Sequence, residues 1–277
     1  MSAPPTSFVT SPASPRQAVV TVVYGSHAER LDYTFTSFHR NPHLELHAFV
    51  IGDRLPANQV AGVRYHLRAP DRSFSHPMRD ADFRRWCFID ELEVEYAVVV
   101  DGMDVLCLRP IPPLPELLRG GAFAGCVEHD GGRRLGGGLY TSNFLNAGVT
   151  FWNIAASRAM RQEIETRGRT RYRNLVDDQL ALNEVIHTRY FDHITLLPCH
   201  YNYRGSLGPR PAGWPRTSSL DGVRIYHNRH WIEEAKRRVP TADRPPLSVL
   251  PPDAGPLNAW QQRWRRFVTR WRREGYR

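Results

Sequence analysis

Lysine is almost missing from this 277-residue chain: Lys236 is the only one among 37 basic side chains. Near-exclusive use of arginine reads as a compositional habit and identifies no partner. Cysteine is also sparse. Cys87, Cys107, Cys126 and Cys199 show no CxxC spacing, which argues against both a zinc site and a disulfide framework and leads us to expect a reduced, cytoplasmic setting. No apolar run approaches the roughly 18–20 residues that span a bilayer. The first 17 residues, rich in Pro, Ser and Ala, lack the basic start and apolar stretch of a signal peptide, so a disordered tail is expected over 1–17. Internal repeats are absent. HLELH (43–47) is not the HExxH of a zinc protease, which needs two His at i and i+4 on a helix. A Ser/His/Asp or paired-Glu constellation is missing as well.

Positive charge is abundant, and it is unevenly placed. The net charge is +9, and the last 18 residues, WQQRWRRFVTRWRREGYR, hold seven arginines against one glutamate. Trp260, Trp264, Phe267, Val268 and Trp271 recur at helical spacing, giving an aromatic face with arginines around the rest. Such a helix suits an anionic membrane interface. Packing of the tryptophans on the body of the protein is the plainer alternative. Nucleic-acid binding is not expected, because no basic motif elsewhere supports it. A Pro-rich linker and this helix would occupy 241–277.

Between the two ends the sequence alternates strand and helix. AVVTVVYGS (18–26) reads as a strand and turn, 27–40 as a helix, LELHAFVIGD (44–53) as a second strand, and GVRYHL (62–67) as a third. A helix fits 81–92, where Phe83, Trp86 and Cys87 share a face. Strands follow at 96–100, at GAFAGCVEH and at NFLNAGVTFWNI (143–154), then a helix at 174–186 and a short strand in 222–231. This rhythm predicts an α/β domain over 18–240 with a doubly wound, largely parallel sheet. Ligands of such sheets sit outside the carboxyl ends of the strands, where Tyr24-Gly25, Asp53 and Asp101 fall. The glycine-rich DGGRRLGGGLYTSN (130–143) reads as a surface loop or a lid. It lacks the Lys-Ser/Thr of a phosphate-binding P-loop.

The segment VVVDGMDVLCLRP (98–110) reads as one buried strand interrupted by two carboxylates. Ionised carboxylates leaving water need a cation or hydrogen bonds. A divalent metal, arginine partners and a solvated turn are the competing accounts. Around the helix at 174–186, Asp177, Asp178 and Gln179 fill the first turn, where carboxylates favour the helix dipole; capping gives no reason for the glutamine. GVRIYHNRHW (222–231) releases His227, Arg229 and His230 into a loop.

Four ordered segments, VVVDGMDVLCLRP, FLNAGVTFWN, DQLALN (178–183) and IYHNRHW, together resemble the retaining GT-A glycosyltransferases of family 8, the group of glycogenin and the bacterial lipooligosaccharide galactosyltransferases. In that family the two aspartates are one residue apart; here DGMD is a DxxD variant, as in the glucosyltransferase domains of collagen lysyl hydroxylases. Asp104 aligns with the second aspartate. The closing motif is short, without the family's Gly and Lys, for which Arg229 or Lys236 would have to substitute.

The resemblance implies the GT-A fold: a single Rossmann-like doubly wound mixed sheet, helices on both faces, and here a C-terminal amphipathic helix. It implies a Mn²⁺ (or Mg²⁺) held by Asp101, Asp104 and His227. The nucleotide-sugar would lie against Tyr24, Gly25, Asp53, Arg84, Arg85, Asp101 and Asp130. Asn146, Asp178, Gln179 and Glu128 would surround the sugar and the reacting carbon. The implied activity is transfer of a hexose from a UDP-sugar, UDP-glucose or UDP-galactose favoured, to a glycan or glycolipid hydroxyl with retained configuration. The basic tail (256–277) resembles a membrane-docking segment, placing the enzyme on the inner face of the membrane. A sugar nucleotidyltransferase would share the sheet and the metal carboxylates, but its Gly-rich loop after the first strand is absent from VVYGSHAERL. A non-catalytic sugar- or membrane-binding module is the remaining alternative.

Overall fold

The structure, a computed structural model, describes residues 14–74, 76–128, 133–135, 140–170, 178–204, 220 and 222–228. In chain order the elements are β1 (Gln17–Tyr24), α1 (Asp32–Phe38), β2 (Leu44–Ile51), β3 (Val63–Arg68), α2 (Pro77–Arg84), β4 (Tyr96–Val100) and β5 (Val105–Cys107). There follow α3 (Leu114–Leu118), β6 (Phe123–Val127), β7 (Arg133–Arg134), β8 (Tyr140–Thr141), β9 (Leu145–Asn153), α4 (Ile154–Thr170), α5 (Asp178–Val185), β10 (Ile194–Leu197) and β11 (Ile225–His227).

Seven strands form the central sheet in the order β10-β6-β9-β4-β1-β2-β3. β1 lies parallel to β2 and β4, β2 parallel to β3, and β6 parallel to β10. β9 alone runs antiparallel, between β4 and β6. Two small antiparallel pairs, β5 with β11 and β7 with β8, lie outside it.

The apolar character of β1 follows from burial on both faces, as expected of a central parallel strand. Ala18 and Val20 join Phe83, Trp86, Trp152, Met160 and Leu182 in one core. Val19 and Val23 join Leu31, Phe35, Phe38, Leu114 and Ile225 in the core on the opposite side. Helices therefore cover both faces. No helix among the described residues is long and apolar enough to cross a membrane.

Several expected boundaries differ. The helix expected over 27–40 is a 3-10 stretch, Gly25–Arg30, followed by α1. That expected over 81–92 starts earlier, where Pro77 opens α2 and the His76 ring accepts the Met78 N–H at 3.0 Å. It ends at Arg84, and a separate 3-10 turn spans Phe88–Glu91. The stretch 98–110 is not one strand. Both aspartates sit in the turn between β4 and β5, and β5 pairs with β11 rather than with the main sheet. The sequence reading missed α4, the longest helix described, and β10. The expected C-terminal helix lies outside the described residues.

Candidate active site

The turn Asp101–Asp104 is held from below by hydroxyls. Thr21 Oγ1 donates to the Val100 carbonyl at 2.9 Å, and Thr34 Oγ1 lies 3.0 Å from each of the Gly102 and Val105 carbonyls. The Asp101 N–H donates to the Gly148 carbonyl at 2.8 Å, tying the turn to β9. Gly102 is packed too closely for a side chain: a Cβ there would stand 2.8 Å from Thr21 Oγ1.

β11 brings a third group that could hold a cation, His227. His227 pairs with Val105, the residue after Asp104. Its Nε2 stands 3.3 Å from Asp101 Oδ2 and 3.6 Å from Asp104 Oδ2. The donor atoms of Asp101, Asp104 and His227 lie within 4.8 Å of one another. Two ligands at right angles about an ion held at about 2.1 Å would stand about 3 Å apart, so this spacing fits a divalent cation. Two carboxylates and one imidazole form an oxygen-rich donor set for such a cation. Gly148 completes the cradle, because a Cβ at that position would collide with the His227 ring and stand 2.5 Å from Asp101 Oδ2.

Arg85, the residue that follows α2, points into the same cluster. Its Nη1 donates to Asp101 at 2.5 Å, and its Nη2 to Asp178 at 2.6 Å and to the Ala147 carbonyl at 3.0 Å. Burial would raise the Asp101 pKa, but the Arg85 guanidinium and then His227 hold it well below the usual carboxylate range. Burial likewise disfavours the His227 imidazolium, yet Asp104 and Asp101 prevail and push its pKa up to about 9. A divalent cation at this position would compete with that proton for Nε2.

A second group of polar side chains continues from His227. Its Nδ1 lies 2.9 Å from Asn202 Oδ1, and Asn202 Nδ2 donates to Asn146 Oδ1 at 2.9 Å. Asn146 Nδ2 donates to Gln179 Oε1 at 3.1 Å, and the Ala147 N–H reaches that oxygen at 3.2 Å. Gln179 Nε2 donates to Glu128, which also pairs with Arg204. Gln179 therefore has its carbonyl engaged by two donors.

The structure thus brings Arg85, Asp101, Asp104, Asn146, Asp178, Gln179, Glu128 and His227 into one connected group. Tyr24 closes β1 with its ring 4.5 Å from that of His27; burial, then the charge of Asp82, raises its pKa. Gly25 follows with a φ of +51°. Asp53 is exposed just beyond β2. Arg84 does not join the cluster: it is drawn to Asp80 at 2.8 Å, one helical turn back, and over the Phe88 ring. Asp130, Asp177, Arg229, His230 and Lys236 lie outside the described residues.

Sequence reasoning missed Asn202, Arg204 and Asp82. Asp82 stands one turn before Arg85 on α2, and that i, i+3 spacing is the signal that places it on the same face. Burial and the Asp178 carboxylate push its pKa well above the usual range. Asn202 follows the short β10 in PCHYNYR, where nothing in the pattern marks it.

No family model matches the chain, and no curated protein matches it in sequence. Among solved structures it is similar to the bifunctional glycosyltransferase WbbM, with a TM-score of 0.56 and 12% identity over 84% of this chain and 51% of that one. The chain spans about half the length of that protein. It is similar also to the galactosyltransferase LgtC in complex with donor and acceptor sugar analogues, with a TM-score of 0.56 and 15% identity over 85% of this chain and 98% of that one. An active-site mutant of LgtC gives a TM-score of 0.52 and 14% identity over 76% and 86%. The seven-stranded, mostly parallel sheet with helices on both faces is the GT-A glycosyltransferase fold.

Proposed function

We propose that this protein is a metal-dependent retaining glycosyltransferase of the family 8 type. It would move a hexose from a UDP-sugar, UDP-glucose or UDP-galactose, to a hydroxyl of a glycan or glycolipid. The observation that carries the reading is the convergence of Asp101, Asp104 and His227 at the carboxyl ends of the parallel strands, where α/β sheets take their ligands. The similarity to a galactosyltransferase solved with donor and acceptor sugar analogues supports a sugar donor and a sugar acceptor.

Asp101, Asp104 and His227 would hold Mn²⁺ (or Mg²⁺), which when bound neutralises the charge of the departing diphosphate. Tyr24 and Gly25 would receive the uracil and ribose, with Asp53 at the rim. Arg85 orients Asp101 and Asp178 through its two Nη atoms. Glu128, Asn146 and Gln179 would place the donor sugar's hydroxyls, and Asp178 would lie beside the reacting carbon. Attack on the same face of the sugar lets the leaving phosphate accept the acceptor's proton. No strong protein base is then needed, in keeping with the lack of a Ser/His/Asp or paired-Glu constellation in the sequence. The basic segment 256–277, outside the described residues, would dock on anionic lipid. Its deletion should abolish binding to anionic liposomes and spare hydrolysis of a soluble donor.

UDP release from a panel of UDP-sugars, with Mn²⁺ and with EDTA, tests the reading. Mn²⁺-dependent release with one donor, lost in Asp104→Asn, is expected. Donor binding without release would leave a sugar-binding module instead.

A further inference from the structure

We propose that Asn202 is a positioning residue: it sets the hydrogen on His227 Nδ1, so that Nε2 faces the cation, and joins the cation site to the amide pair Asn146–Gln179. The inference rests on the cation site proposed above.

One donor beside Asn146 has an identity beyond choice. The backbone N–H of Gly148 lies 2.9 Å from one terminal atom of Asn146, so that atom is the oxygen. The same oxygen faces Asn202 at 2.9 Å, and two oxygens would repel there, so Asn202 presents its NH₂. Its remaining atom, the carbonyl oxygen, then faces His227 Nδ1 at 2.9 Å. An oxygen acceptor at that distance requires a hydrogen on Nδ1. Nε2, the other ring nitrogen, is the atom aimed at Asp101 and Asp104.

The far end of the chain agrees. The backbone N–H of Ala147 identifies the Gln179 oxygen, and the Gln179 NH₂ meets Glu128, a carboxylate that only accepts when ionised. Every bond from His227 to Glu128 therefore donates in one direction, and reversing one amide would break its neighbours. Asn202 is itself buried, with 3% of its surface exposed, so water does not replace it cheaply. The local fold sets its place: the His227 N–H donates to the Tyr203 carbonyl at 2.9 Å, and the Tyr203 N–H to the Ile225 carbonyl at 2.9 Å.

The two arms of Asn202 are separable by substitution. Asn202→Leu removes both. Asn202→Asp keeps an acceptor for Nδ1 and sets a carboxylate against the Asn146 oxygen. In the full chain, without nucleotide, Mn²⁺ affinity measured by calorimetry should fall about 10- to 100-fold in Asn202→Leu, the usual loss for an outer-sphere partner of a ligating histidine. It should stay near wild type in Asn202→Asp, while turnover falls in both. Nitrogen-resolved proton NMR of the metal-free protein should show a slowly exchanging Nδ1–H of His227, distinct from the Nε2–H that faces Asp101 and Asp104, lost in His227→Gln and Asn202→Leu and kept in Asn202→Asp.

Unchanged Mn²⁺ affinity in folded Asn202→Leu, or equal losses in the two variants, would overturn the inference. A Leu variant that does not fold leaves the Asp variant and the NMR signal to decide. Wild-type protein that shows the ring signal and binds no Mn²⁺ would sink the cation site, and with it the metal half of this inference, leaving the tautomer half standing. A missing ring signal in a wild type that binds Mn²⁺ would sink the inference alone.

Discussion

Arg85 is buried with its two Nη atoms on Asp101 and Asp178, and its removal would leave both carboxylates without their counter-charge. Breaking such a pair typically costs about 3–5 kcal/mol, and that is the loss expected for Arg85→Ala in urea denaturation. Arg85→Lys should recover only part of it, because an ammonium lacks the planar fork that reaches two acceptors. His47 makes a different demand. It is buried on β2, with Nδ1 2.9 Å from His66 Nε2 and Nε2 3.5 Å from Glu45, while Arg64 sits on the neighbouring strand. Burial, then the nearby His66, pushes its pKa down to about 4, against about 6.5 in an unfolded chain. Between those values the unfolded chain takes up a proton that the folded one refuses, so stability is complete above about pH 6.5 and is lost as pH falls toward 4. The melting temperature should drop across that window, and the drop should be shallower in His47→Gln.

At the scale of elements, β9 does most to shape the site. Gly148→Ala would force a methyl group into the His227 ring and Asp101. Overpacking of this kind costs about 1–3 kcal/mol, and the displaced imidazole should weaken Mn²⁺ binding measured by calorimetry in the absence of nucleotide. Much of this was legible beforehand. Asn146-Ala147-Gly148 signals close approach by its small residue, β1 and β2 carry the apolar runs of buried strands, and α5 shows its buried face at Leu182 and Val185, continued by Ile186 just beyond it. α4 was not legible, for a physical reason. Its buried positions are Ile154, Ser157, Met160, Arg161, Ile164 and Gly168, so half of its inner face is polar or lacks a side chain. Arg161 is buried there because Asp90 and the carbonyls of Trp86 and Ile154 satisfy its guanidinium. Hydrophobic periodicity cannot show a helix whose core contact is an arginine. That β5 belongs to a different sheet from β4 was not legible either, since both are apolar.

At the scale of the molecule, the site draws on α2, the β4–β5 turn, β6, β9, α5, the segment after β10, and β11. Individual residues such as Asp104, Gln179 and His227 could be picked out from the chain. Their connection through Asn202 could not, because it depends on which backbone N–H groups the reversed strand turns toward them. A ligand held by so many elements should stabilise the whole. Mn²⁺ at 100 times its dissociation constant contributes about 2.7 kcal/mol, which should raise the melting temperature by several degrees, reversibly with EDTA, and not at all in Asp104→Asn.

The hydroxyl of Thr34 touches the carbonyls of both Gly102 and Val105 and so acts as a caliper on the span between them. Shortening the turn by deleting Met103 would leave that caliper set to the wrong width. The spacing of Asp101 and Asp104 is therefore a property shared with α1, and changing it would require retuning a helix some seventy positions away.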